Sequence, residues 1–578
     1  MNQTAWLDPS ELRIGLGCMR MSTDPDRDPE LAEQTIAAAL DAGITVFDTA
    51  HAYGLDEDDL GHNERLVARA MSRASPVTGP RIVTKGGMAR AGGAWMPDGR
   101  AKTIRADCEA SLDALGVLPI DLYLIHAPDP RVPWRTSVRA LQRLLDDGLV
   151  KRIGVSNVNL RQLDEALALA SVAAVQVGLS VHDDRAVRGG VLDRCNERGI
   201  AVIAHSPLGG PRRARTLART RPLAEVALAW LLELSPNVVA IPGARRPETA
   251  RSAARAARLT LAPDDLTQLE RAFDVSRPMR TTKARPDSAD GAEVVVIMGI
   301  PGAGKTRLAE SYASRGYVRL NRDEQGGALR DLAGPLERAL ASGGRRVVLD
   351  NTYLTRAARS YVLDVAHRHG IPARCVWLET PLAQAQVNLV ERLLDRFGAL
   401  PTPADLRALA RREPGVLAPA QQLRTVRELE PPSPDEGFAS VEITPFTRAR
   451  GSAQARAGVF VAAAAPGRAG WREALEQRAG RDAPHLVFDW RPDGTPDELA
   501  LLVELVRATA AASAPIDAAL CPHGGGPPRC WCRPPLPGLP LAFARTHNVD
   551  PARSIVIGTS RAHRTLATAL GARYVPCG

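Results

Sequence analysis

Between residues 10 and 270 short β-branched runs (ITVFDTA, RIVTK, DLYLIHA, KRIGVS, AAVQVG, AVIAHS and VVAIPG) alternate with helix-length segments rich in Ala, Leu and Arg. Strand and helix repeating over roughly 260 residues predict a closed (β/α)8 TIM barrel over residues 1–275. The periodicity stops in SRPMRTTKARPDSADG, residues 276–291, where Pro, Arg, Ser and Asp accumulate as in a linker. A second α/β pattern starts at AEVVVIMGIPGAGKT and closes with EGFASVEITPF at Phe446, giving a P-loop α/β/α sandwich with a parallel sheet over 292–446. After a second linker at 447–457, residues 458–578 form a smaller α/β unit, so the whole chain reads as α/β and multidomain.

Length agrees with this division, because 578 residues exceed what one hydrophobic core usually supports. With 45% hydrophobic and 24% charged residues the composition is that of a soluble globular protein. No run of about 18 apolar residues and no basic-then-apolar leader is present, which predicts no membrane association and, by default, a cytoplasmic location. The net charge of +9 is carried almost wholly by arginine, since only five lysines occur, at 85, 102, 151, 283 and 305. Arginine suits phosphate, so nucleic acid is a permitted partner, but a compositional bias toward Arg, Ala, Gly and Pro is the simpler explanation and charge alone does not decide the substrate. Five of the eight cysteines are scattered; the other three crowd into 521–532 with a histidine, a metal pattern and not a disulfide framework.

In the middle segment a strand, EVVVIM, runs into Gly299-Ile-Pro-Gly302-Ala-Gly304-Lys305-Thr306, followed by a helix-like RLAESYASR. This is a complete G-x-x-x-x-G-K-T. Its glycines let backbone N–H groups wrap the phosphates of ATP, the lysine reaches the β and γ phosphates, and the threonine hydroxyl ligates Mg²⁺. GYVRLNRDEQGG and RRVVLDNTYLTRAARS follow, and with EGFASVEITPF they resemble the kinase domain of polynucleotide kinase-phosphatases. The resemblance implies a 5′-hydroxyl kinase acting on RNA or DNA ends. Asp323 would be the general base, and Asp350 would fix the acceptor side or an active-site arginine. Arg392, with Arg396 beside it on VNLVERLLDRFG, would be a lid arginine neutralising the transferring phosphoryl group. Small-metabolite kinases share the Walker motif and stand as the alternative.

Across 10–270, FDTAHAYG with GHNE, IVTKGG, DLYLIHAPDP, GVSN, HSPLGG and AIPGARRPE occur in the order and spacing of the aldo-keto reductases, which this portion resembles. The resemblance implies Asp48, Tyr53, Lys85 and His126 as the catalytic tetrad. Tyrosine gives its proton to a carbonyl oxygen, lysine lowers the tyrosine pKa, aspartate holds the lysine and histidine orients the carbonyl. It further implies NADP(H), with Ser156, Asn157 and Gln176 on the carboxamide, Ser206, Leu208 and Gly209 on the pyrophosphate, and Gly243, Ala244 and Arg245 at the adenosine ribose or its 2′-phosphate. His205 stands where an aromatic commonly stacks on the nicotinamide, and Ser252-Ala253 replace the usual Glu-Asn pair. The carbonyl substrate and the choice between NADH and NADPH stay open.

Near the C-terminus Cys521-Pro-His523 and Cys530-Trp-Cys532 offer four soft ligands, a set that closes tetrahedrally on Zn²⁺ with no open position. CPHGGGPPRCWCRPPLPG followed by SIVIGTSRAHRTLATALGARYV resembles the zinc-bearing histidinol-phosphate and heptose-bisphosphate phosphatases of the haloacid dehalogenase superfamily. Ala462 and Ala464 stand where that family has its aspartyl nucleophile and general acid, Pro534 where it has a lysine and Thr559 where it has an acid, so this unit is expected to be a zinc-stabilised pseudo-phosphatase. Three readings of the chain follow. It is an end-processing kinase with a linked reductase, a carbonyl reductase with a metabolite kinase, or a kinase flanked by non-catalytic binding modules. Oligomeric state and domain arrangement are not legible.

Overall fold

The computed structural model describes residues 6–74, 79–210, 221–273, 291–447, 454–478, 482–510, 513–525 and 528–578. The expected linker at 276–291 lies outside the described residues except for Gly291, and most of the one at 447–457 does too. The chain divides into two compact units, residues 1–280 and 281–578, taken in turn.

In the first unit eight parallel strands follow one another in chain order: β1 (Gly15–Gly17), β2 (Val46–Asp48), β3 (Arg81–Gly86), β4 (Ile120–Ile125), β5 (Ile153–Ser156), β6 (Val172–Gly178), β7 (Ala201–His205) and β8 (Val238–Ile241). The sheet closes on itself: the Gly17 N–H donates to the Pro242 carbonyl at 3.0 Å and the Ala240 N–H to the Arg13 carbonyl at 3.1 Å. Both faces are buried, which explains the continuous apolar runs. Leu122 and Leu124 of β4 point into the barrel with Val46, Val83, Ile203 and Val239, while Tyr123 and Ile125 pack outward under the helices. At Gly154 a Cβ would lie 2.3 Å from the Ala174 carbonyl oxygen, so only glycine lets β5 and β6 approach there. Between β3 and β4 an antiparallel hairpin, Met88–Ala91 with Ala94–Pro97, turns through Gly92 and Gly93 at φ +52° and +75°.

The second unit carries two parallel five-stranded sheets. One has the order β10 (Val318–Leu320), β11 (Arg346–Asp350), β9 (Glu293–Met298), β12 (Ala373–Glu379), β13 (Ser440–Pro445). The other has the order β16 (Ile516–Cys521), β15 (His485–Trp490), β14 (Val459–Ala462), β17 (Ile555–Gly558), β18 (Arg573–Pro576). Helix α1 (Lys305–Ala313) starts on the P-loop lysine. Helix α2 (Arg322–Gln325) is a single turn capped by the Asn321 side chain, and α3 (Leu382–Phe397) ends at Gly398 with φ +74°. One apolar core spans both sheets' surroundings, joining Val390, Leu393, Leu394 and Leu406 to Phe460, Phe488, Trp531 and Leu566. All eight cysteines are free thiols, in line with the expectation of no disulfide framework. Among the described residues no helix is long and apolar enough to cross a membrane.

Candidate functional site

The barrel strands bring Asp48, Tyr53, Lys85 and His126 together, Asp48 and Lys85 on β2 and β3, Tyr53 just beyond β2 and His126 just beyond β4. The Lys85 ammonium is 1% exposed and donates to Asp48 Oδ1 at 2.8 Å, to the Thr49 carbonyl at 2.8 Å and to the Tyr53 hydroxyl at 3.2 Å. Burial pulls Lys85 down, but the Asp48 carboxylate and Tyr53 more than offset it and the amine stays above its ordinary value. Burial also dominates at Tyr53, whose phenol is pushed up to about 12 although Lys85 acts in the opposite direction. The expected depression of the tyrosine is therefore not the net outcome; Tyr53 is a neutral phenol held beside the Lys85 ammonium. Burial and Lys85 push His126 well below its usual range, so it is a neutral imidazole, with its Nδ1 buried and unpartnered.

Around this cluster the predicted cofactor residues divide. Ser156 and Gln176 are buried at the ends of β5 and β6. Gln176 Nε2 donates one of its two hydrogens to Asp48 Oδ2 at 2.6 Å, so the amide braces that carboxylate and keeps its oxygen and second N–H. Asn157 and Ser206 hold left-handed backbones, φ +56° and +51°, and Gly209 does so at +76°. Such conformations on non-glycine residues mark backbone fixed by its surroundings. Asn157 Oδ1 meets His205 Nε2 at 3.1 Å, and Leu208 packs on the outer core. Gly243, beside Ala244, bridges back to Gly17 where the barrel closes. Arg245 is paired with Asp24 at 3.1 Å and Asp26 at 3.2 Å. Sequence reading missed Trp95, which the hairpin sets edge-on to Tyr53 and His126, ring centroids 6.1 and 5.9 Å away, with Arg90 over its indole at 3.8 Å. The Gly92-Gly93 pair was the available signal for that hairpin.

In the second unit the P-loop and both acidic motifs line one cleft of about 1900 Å³. Gly299, Gly302 and Gly304 have φ of 157°, 89° and 92°, and a Cβ at Gly302 would sit 2.3 Å from the Ala385 carbonyl oxygen. Lys305 Nζ donates to the Gly299 and Ile300 carbonyls at 2.9 and 3.0 Å, and desolvation pushes it down to about 8 despite Asp350. Thr306 lines the same cleft at the start of α1. This curled backbone with a cation at a helix N-terminus fits a nucleotide triphosphate. Asp350, 2% exposed, is gripped by Arg319 at 3.1 and 3.0 Å and by Asn321 Nδ2 at 2.9 Å. The arginine paired with Asp350 is Arg319, which sequence reading did not name. Asn351 Oδ1 accepts the Arg322 N–H at 3.1 Å and Asn321 Oδ1 the Asp323 N–H at 2.7 Å, which leaves the half-exposed Asp323 carboxylate in the cleft, paired with Arg322 at 2.6 Å. Arg392 also faces the cleft, bonded to the Gly415 carbonyl, whereas Arg396 is paired with Glu413.

Cys521, His523, Cys530 and Cys532 converge, their ligand atoms all within 4.8 Å of one another. Cys521 Sγ lies 3.6 Å from Cys530 Sγ, 3.4 Å from Cys532 Sγ and 3.6 Å from His523 Nδ1. A tetrahedral zinc at ordinary bond lengths sets sulfurs about 3.8 Å apart, so the set fits. Trp490 Nε1 donates to the His523 carbonyl at 2.7 Å, which holds the backbone of that candidate ligand. Ala462 ends β14 and Thr559 follows β17, so no carboxylate stands at either position.

An eight-stranded parallel barrel with Asp, Tyr, Lys and His at the C-terminal ends of its strands defines the class of barrel oxidoreductases. Residues 13–222 match the aldo/keto reductase family, and residues 294–414 match a family described as an AAA domain. A probable aldo-keto reductase of Glycine max is 30% identical over 305 residues, 46% of this chain and 86% of the relative. An uncharacterized oxidoreductase of Schizosaccharomyces pombe is 29% identical over 271 residues, 45% of this chain and 85% of its own. Among solved structures, the glycerol dehydrogenase of Gluconobacter oxydans is 26% identical, covers 49% of this chain and 98% of that one, and has a TM-score of 0.40. The chain belongs to the aldo/keto reductase family through its first unit and carries a P-loop nucleotide-binding module in its second.

Proposed function

We propose that this protein is an ATP- and Mg²⁺-dependent polynucleotide 5′-hydroxyl kinase fused to an NADP(H)-dependent reductase of a small carbonyl compound, with a zinc-bound, phosphatase-like C-terminal portion that lacks its nucleophile. The observation that carries the kinase reading is the interlock of N-R-D and D-N-T. Asn321 donates to Asp350 at 2.8 and 2.9 Å while Asn351 accepts from the Arg322 backbone, so the two motifs set one another and point Asp323 into the P-loop cleft. ATP supplies the phosphoryl group when bound. Asp323 takes the proton from the attacking 5′-hydroxyl, Lys305 and Arg392 offset charge on the transferring oxygens, and Thr306 would ligate Mg²⁺. In the barrel the nicotinamide supplies hydride when bound; Tyr53 gives its proton to the carbonyl oxygen, and His126 and Trp95 orient the carbonyl.

The test is incubation of the purified chain with labelled ATP, Mg²⁺ and 5′-hydroxyl DNA and RNA oligonucleotides. Label transfer that Asp323→Ala abolishes is the expected outcome. Transfer to neither polymer by the wild type, with nucleotide binding intact, would replace this reading with the small-metabolite kinase.

A further inference from the structure

Helix α3 has one face on the P-loop and the other on the C-terminal sheet. On the first face Asn388 Nδ2 donates to the Gly302 carbonyl at 2.8 Å, the Ala385 carbonyl packs against the Gly302 Cα, and Arg392 enters the cleft. On the second face Val390, Leu393 and Leu394 share one core with Phe460, Leu541 and Trp531. Asp395 is ion-paired with Arg545 of α4 (Gly538–Thr546). Beyond α3 the chain returns toward the cleft, with Leu400 against the Cys521, Cys530 and Cys532 cluster and the Leu417 carbonyl accepting the Trp531 Nε1–H at 3.0 Å. Trp531 is 1% exposed and lies in sequence between two of the four candidate ligands.

The segment Cys521–Cys532 contains three glycines and three prolines and, among its described residues, makes no helix or strand after Cys521. Such a segment has no ladder of its own to hold a large indole in one place, whereas a tetrahedral cross-link between its ends fixes both residues flanking that indole. The nucleotide cradle is thus joined to the metal loop by a chain of direct contacts: ligands, Trp531, the 398–417 return segment and α3, then Gly302 and Arg392.

We propose that Trp531 is a positioning residue for the P-loop site, and that metal bound by the Cys/His loop sets nucleotide affinity through it. This rests on the zinc and P-loop readings and is independent of which hydroxyl compound accepts the phosphoryl group. The loop would then be more than a fastening of the C-terminal sheet.

The experiment uses the full chain. Metal content is measured directly, and binding of a fluorescent ATP analogue and hydrogen exchange of residues 398–417 are compared for wild type, chelator-stripped wild type, Trp531→Phe and Trp531→Ala. Stripping and Trp531→Ala are expected to weaken analogue binding about tenfold and speed exchange in 398–417. Trp531→Phe keeps an aromatic ring but loses the Nε1–H donor, so a smaller loss is expected there, which a general collapse would not grade. NADP(H) binding by the barrel serves as the folding control. Unchanged affinity in stripped protein and Trp531→Ala overturns the proposal, including where exchange rises only across 458–578, and so does wild type that binds the analogue without any metal. Failure of wild-type protein to bind the analogue would sink the P-loop reading itself; in that case exchange of 398–417 on stripping still decides whether the loop holds the segment.

Discussion

Lys85 and Lys305 stand at the centre of the two candidate sites, and the protein holds them in opposite ways. Lys85 sits against a carboxylate and a phenol, fully enclosed, and its charge is secured without any ligand. Lys305 touches only backbone carbonyls, with Asp350 too far away for a direct bond, and desolvation pushes it down to about 8. A buried ammonium with its own counter-ion belongs to a site whose electrostatics are complete beforehand. One lacking such a partner is strained until an anion arrives, as suits a cradle for phosphate. The barrel site is therefore assembled by folding, the P-loop site by its ligand.

Tyr53→Phe probes the pre-assembled site most severely. Removing its proton donor should lower carbonyl turnover by about 10²–10⁴-fold while cofactor binding, followed by fluorescence titration, is unchanged. If turnover survives, Tyr53 is not the donor. Next come the two aspartates. Asp48→Asn takes the counter-ion from a buried amine and should cost about 3–5 kcal/mol of stability. Asp350→Asn, whose partner Arg319 keeps access to solvent, should cost about 1.5–3 kcal/mol. Denaturant unfolding monitored separately in each unit measures both, and equal losses would erase the contrast.

The pH dependence of the P-loop separates the lysines further. Below about pH 8 Lys305 is already charged and binds phosphate without proton uptake; above it, binding must first protonate the amine. ATP affinity should therefore fall by up to about tenfold per pH unit above 8, whereas no such loss is expected for the barrel cofactor. Calorimetric titrations in buffers of different ionisation enthalpy would count the proton. The smallest effect concerns Arg245, which is shared between Asp24 and Asp26. Asp26→Ala should free the guanidinium for a 2′-phosphate and shift the ratio of NADPH to NADH affinity a few-fold toward NADPH, in keeping with the modest worth of exposed ion pairs.

How far the sequence could be read depended on how local each feature is. The seven β-branched runs and the Walker glycines are short-range patterns, and the barrel and the P-loop followed from them. Asp48, Tyr53, Lys85 and His126 could be picked out because the motifs around them resemble those of the aldo-keto reductases in order and spacing. Arg319 could not, because in a chain this rich in arginine nothing marks one that reaches from β10 across to β11. The direction of the Tyr53 shift was also out of reach, since it depends on how much protein surrounds the ring. Nor did the second linker announce that the sheets on either side of it share side chains. Val390 and Leu393 read only as the apolar face of a helix, and the sequence does not say against what that face packs.

That shared core bears on how the protein can be cut. A fragment ending at Phe446 would keep every motif of the P-loop module, yet it would leave Val390, Leu393, Leu394, Leu406 and Val416 without Phe460, Trp531 and Leu566 to cover them. An apolar patch of that kind drives self-association of a truncated protein. Residues 281–578 are for this reason the piece to express when the P-loop module is to be studied apart from the barrel, and a shorter clone that precipitates would say nothing about the intact chain.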